Sequence, residues 1–210
     1  MTRSGICLSA ARSHPRGRRA AAVAISALAV ALAAPATASA APETPAVIAT
    51  VTVGSQPWGV AVNPVTGTVY VANTGSDSVS VISGRTNKVI ARIGVRGLGI
   101  AVDPQTDTIY DVTVATGQAG PVAVIDGKTN TVTATFTVRD PWGIAVNPQT
   151  DAIYVDSFWH AQLLVADGTT NTVTGTVKVG SLPSNVAVNP QTGLVYVTNQ
   201  NDSTVSVVGP

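Results

Sequence analysis

One pattern recurs four times along this chain and constrains its fold more than any other feature. The copies are "WGVAVNPVTGTVYVAN" from 58, "LGIAVDPQTDTIYDVT" from 98, "WGIAVNPQTDAIYVDS" from 142 and "SNVAVNPQTGLVYVTN" from 184. The Asn-Pro or Asp-Pro pair begins at 63, 103, 147 and 189, in steps of 40, 44 and 42, and Tyr70, Tyr110, Tyr154 and Tyr196 keep those steps. A period near forty built from short β-type runs predicts an array of sheet units of the propeller kind.

Each copy reads as four strands. "GVAVN" is the first, "TVYVAN" the second, "SVSVIS" the third and "KVIARI" the fourth. Asn63-Pro64 supplies a side-chain acceptor and a fixed φ at the first turn, and Gly67 can take the positive φ that the turn needs. Asp107 and Asp151 stand in for that glycine in the middle copies, since Asp tolerates the left-handed region better than most residues. Val, Ile, Thr and Tyr dominate after residue 40 and no helical period appears there, so the fold class is all-β.

The copies span about 51–92, 93–135, 136–176 and 177–210. The last stops after its third strand, whereas residues 45–53 align with a fourth strand that lacks its first three. Their complementarity predicts a β-propeller of four four-stranded repeats, closed by pairing of the N-terminal strand with the C-terminal blade, which would leave no sheet edge open. Two rivals stand beside it: a partial ring completed by a second subunit, and a truncated array with no independent function. A monomer or a homodimer follows from the first two.

"YVTN" at 196–199, inside "NVAVNPQTGLVYVTNQNDSTVSVV", resembles the YVTN-type β-propeller repeat of exported and surface-layer proteins. The resemblance covers residues 41–210. It implies a binding or scaffold role at the cell surface, and it brings no shared catalytic motif. Members of that family more often have seven blades.

The N-terminus predicts export. Arg3, Arg12, Arg16, Arg18 and Arg19 precede the apolar run "AAAVAISALAVALAA" at 20–34, and "ATASA" suits cleavage after Ala40, making residues 1–40 a signal peptide and the protein secreted or envelope-associated. The run is shorter than the roughly 20 apolar residues of a spanning helix, so no membrane span is expected after cleavage. Both the general secretory and the twin-arginine routes remain open. Beyond residue 40, seven basic residues against eleven acidic ones leave −4, which disfavours nucleic acid as a partner. Cys7 lies in the leader, so the rest of the chain has neither disulfides nor thiolate metal ligands.

Antiparallel blade connectivity puts the loops that lead into first strands, and the hairpins between second and third strands, on one face. That face collects Trp58, Arg96, Asp140 and Trp142, with the hairpin "SFWH" of Ser157 to His160. Asp103, Asp107, Asp126, Asp151 and Asp167 occupy turn positions with backbone reasons for an Asp, and Asp77 and Asp202 sit at hairpin tips. Asp111, Asp140 and Asp156 are not placed by the repeat. The candidate ligand-binding set is therefore Trp58, Asp140, Trp142, Asp156, Phe158, Trp159 and His160, with aromatic faces for a sugar ring or a cation and polar groups beside them. Competing readings are interblade wedges for Trp58 and Trp142, an exposed hairpin residue for His160, and a protein-contact patch for "FWH".

Catalysis fits the composition poorly. Beyond the leader there is one histidine, one glutamate (Glu43) and no cysteine, whereas a histidine-based metal centre takes about three protein ligands. No Gly-x-Ser-x-Gly elbow accompanies His160, no Asp-x-Asp-x-Asp run marks a Ca²⁺ loop, and no cofactor is implied. The reading is a non-catalytic binding or scaffold protein that recognises protein or cell-wall polysaccharide. The alternative is a propeller-type hydrolase or lyase acting at the third-blade face.

Overall fold

The computed structural model describes residues 44–113 and 118–209, so the expected export signal at 1–40 lies outside the described residues. The described chain is all-β apart from one short 3-10 turn at Phe158–His160. Blade 1 comprises β1 (Pro57–Asn63), β2 (Thr68–Asn73), β3 (Ser78–Ser83) and β4 (Lys88–Ile93). Blade 2 comprises β5 (Ile100–Asp103), β6 (Thr108–Val112), β7 (Ala119–Asp126) and β8 (Thr131–Arg139). Blade 3 comprises β9 (Pro141–Asn147), β10 (Ala152–Ser157), β11 (Gln162–Asp167) and β12 (Thr172–Lys178). Blade 4 has three strands, β13 (Pro183–Val188), β14 (Val195–Asn199) and β15 (Thr204–Val208). Within every blade the strands are antiparallel and in chain order.

The turns form for the reasons that their residues suggest. Asn63 Oδ1 accepts from the Val65 and Thr66 amides, Asp103 Oδ1 from Gln105, and Asn147 and Asn189 repeat the contact. Gly67, Asp107, Asp151 and Gly193 all hold positive φ at the next corner. The side chains also tie blades together, because Asn63 Nδ2 donates to Asp107 Oδ1 at 2.6 Å. A register shift between the third and fourth strands recurs at Val81/Ile82, Val124/Ile125 and Val165/Ala166, adding twist at the same place in three blades.

Blades stack through their sheet faces, and the core consists of three such interfaces. Tyr70, Ala72, Val79 and Val81 of blade 1 pack on Ile100, Ile109 and Ile125 of blade 2. Tyr110, Val112, Val122 and Val124 of blade 2 meet Ile144, Val146, Ile153 and Val155 of blade 3. Leu163 and Val179 of blade 3 meet Val186, Val195 and Val197 of blade 4. Each fully buried aliphatic side chain contributes about 1.5–3 kcal/mol by leaving water.

Ring closure is not formed. The inner strands pack in series, β1 on β5, β5 on β9 and β9 on β13, and the series does not return to β1. Residues 44–53 lie outside any strand, and Val47 and Ile48 are exposed. Gly54 N donates to Asn73 Oδ1 and Ser55 N to Ser76 Oγ, which ties the end of the segment to blade 1, as the equivalent Gly180 and Ser181 amides tie theirs to Ser206 Oγ and Asp202 Oδ2 of blade 4. The array is propeller-like but open. Among the described residues no helix is long and apolar enough to cross a membrane.

Candidate functional site: an aromatic face at the start of the inner strands

Where the inner strands begin, their backbones draw together. Gly59, Gly99 and Gly143 share one repeat position, and a Cβ on Gly99 would come within 2.5 Å of the Trp142 carbonyl oxygen. The same region encloses a cavity of about 240 Å³ to which all four inner strands contribute. Trp58 and Trp142 precede this position by one residue, so the close approach of glycines brings the two indoles onto one face.

Four aromatic rings form a continuous series there. Trp58 meets Trp142 edge to face with centroids 6.4 Å apart, Trp142 stacks on Phe158 at 5.0 Å and 26°, and Phe158 meets Trp159 edge to face at 5.0 Å. The hairpin tip is tied into position. Phe158 N donates to the Asp140 carbonyl at 3.0 Å, Ser157 Oγ donates to the Arg139 carbonyl at 2.6 Å, and Ala161 closes the turn in the left-handed region. Trp58 remains 64% exposed and Trp159 is similarly open, so Trp58 does not act as a buried interblade wedge.

An open cavity of about 370 Å³ lies against Trp58 and Trp142, completed by Gln56, Thr74, Arg96, Gly97 and Leu98. Its lining is mostly apolar. Arg96 lies 3.4 Å from Asp77 in a solvent-exposed ion pair, the weak kind that leaves the guanidinium able to exchange partners.

The polar residues of the candidate set divide into one accessible group and two supports. His160 Nδ1 lies 3.2 Å from Asp140 Oδ2, with the His160 side chain about one-third exposed and Asp140 almost wholly buried. The carboxylate and the imidazole thus lie side by side. Asp156 has no exposed surface, and its Oδ1 accepts the Gly143 amide at 2.9 Å. It fastens the start of β9 from behind. Burial raises its pKa to about 7 against the pull of the backbone amides of Gly143 and Trp142. Asp111 is also buried, neither of its oxygens meets a hydrogen-bond donor among the described residues, and desolvation raises it to about 8.

Sequence reasoning placed Arg96 on this face without assigning it to the site. Gln56, Thr74 and Leu98 carry no signal of their own, because a cavity wall built from three blades is visible only once those blades are packed. Among the described residues no group of three or more His, Cys, Asp or Glu side chains is arranged to hold a metal ion.

The fold and this face define a multi-blade, propeller-like β array with an aromatic ligand-sized cleft. No protein-family model matches the chain. It is 65% identical over 34 residues to the PE-PGRS family protein PE_PGRS18 of Mycobacterium tuberculosis (strain ATCC 25618 / H37Rv), a match that covers 16% of this chain and 7% of that protein. Among solved structures it is similar to U3-55K, with a TM-score of 0.56 and 15% identity over 74% of this chain and 52% of that one. The chain thus spans about half of that structure and a small part of that curated relative.

Proposed function

We propose that this chain is an exported, non-catalytic binding protein of the YVTN-propeller type, and that its aromatic face takes a sugar ring of cell-wall glycan. The observation that carries this reading is the pair Trp58–Trp142, which walls an open cavity with Arg96 and Gln56 at hand for hydroxyl or carboxylate groups. Exposed indole faces stack on the C–H faces of sugar rings, while a few convergent polar groups fix orientation. The leader-type N-terminus and the acidic balance of the remaining chain are consistent with an envelope location. The test is co-sedimentation of the chain with purified cell-wall material. Wild type should pellet with it and Trp58→Ala/Arg96→Ala, which alters two residues of the cavity wall, should remain largely in the supernatant; equal pelleting of both would overturn the site assignment.

A second reading, a hydrolase or lyase at the third-blade face, draws support from the His160–Asp140 pair, in which a buried carboxylate lies beside a partly exposed imidazole. Release of reducing ends or unsaturated sugars from the same material, lost in His160→Ala, would favour it over binding alone.

A further inference from the structure

Among the described residues two sheet faces are uncovered, and these are the two halves of an interface that the chain already buries three times. On blade 4 the uncovered residues are Tyr196, Val205 and Val207, the last two 54% and 58% exposed. Their repeat equivalents in blade 1, Tyr70, Val79 and Val81, are fully buried against blade 2. On blade 1 the uncovered residues are Val60 and Val62, 64% and 56% exposed, whereas the equivalent Ile144 and Val146 of blade 3 are buried against blade 2. Neither set contains a charge. Blade 4 also presents a shallow apolar cavity of about 280 Å³ between Ala187, Tyr196 and Val205.

We infer that a second copy of this chain covers these faces, blade 1 of one copy packing on blade 4 of the other, so that two arcs close one ring. Chain connectivity favours this occupant. At each internal junction the fourth strand of one blade runs directly into the first strand of the next, as β4 runs into β5. A copy that sets its β1 against β13 therefore delivers its own residues 45–53, "PAVIATVTV", to the edge of β15, which is unpaired among the described residues. A head-to-tail contact either closes or polymerises.

The junction differs from the internal ones where the inner strands come closest. Asn185 stands where the other blades have Gly59, Gly99 and Gly143, so a side chain occupies the point of closest inner-strand approach. The contact between copies is accordingly looser at the axis than the contact within a copy.

Sedimentation equilibrium of the full-length chain tests this inference. Wild type should be a dimer. Val60→Glu/Val62→Glu and Val205→Glu/Val207→Glu, both confined to exposed residues and checked for unchanged β-type circular dichroism, should each be monomeric. Asn185→Gly should tighten the dimer, and amides 45–53 should gain hydrogen-exchange protection as the dimer forms. A monomeric wild type, an open polymer, or a dimer that survives either charged pair overturns the inference. None of these readouts depends on glycan binding.

Discussion

Trp58 and Trp142 meet edge to face, 6.4 Å between centroids and 89° between planes, although they lead into the first and third blades. Blade 2 contributes Leu98 rather than a third indole at this repeat position, which leaves room for a cavity between the two rings. The spacing of the inner strands therefore sets the width of the cleft.

That spacing depends on glycine. Gly99→Ala would place a methyl group 2.5 Å from the Trp142 carbonyl oxygen, and backbone cannot yield as a side-chain tip does. The variant should lose about 1–3 kcal/mol of stability, read as a lower urea midpoint.

Asn73 is the hub of blade 1. Its Nδ2 donates to the Ser78 carbonyl at 2.9 Å and to Ser80 Oγ at 3.0 Å, and its Oδ1 accepts the Gly54 amide, with no part of the residue exposed. Asn73→Ala strands those partners in a dry site and should cost about 2–4 kcal/mol in urea denaturation, given roughly 1 kcal/mol per lost bond plus unsatisfied groups.

Stability should depend on pH through Asp111 and Asp156. Both keep their protons in the folded chain to about pH 8 and 7, far above the ordinary carboxylate value of 3.8, because burial penalises the charged form. Between these limits the folded state holds more protons than the unfolded state, so their contribution is full below about pH 4 and falls as pH rises towards 8. Asp111→Asn mimics the protonated carboxyl. Melting curves from pH 4 to 8 should show a shallower decline for this variant than for wild type, with the largest gain at the alkaline end.

The parts of the fold that were legible in the sequence are those with local causes. Asn63-Pro64, Gly67 and the Asp107 and Asp151 replacements announce their turns because each turn is satisfied by its own residues. Tyr70 and Tyr110 mark a sheet face because strand alternation fixes it. Ring closure was not legible, since it depends on the angle between blades, and complementary ends at 45–53 and β15 say nothing about whether they can meet in one chain. The supporting contact of Asp156 was not legible for a related reason. Its hairpin does reach the aromatic face, but its own side chain turns inward beneath Gly143, which only the packed register reveals.

The central claim is tested most directly by tryptophan-fluorescence titration of the chain with soluble oligosaccharides released from cell-wall glycan. Wild type should show saturable binding, and Trp58→Ala, which alters an exposed side chain, should fold normally but bind about tenfold more weakly, the loss of a stacking contact worth roughly 1.4 kcal/mol. Undiminished affinity in Trp58→Ala, or no binding by wild type, would contradict the account.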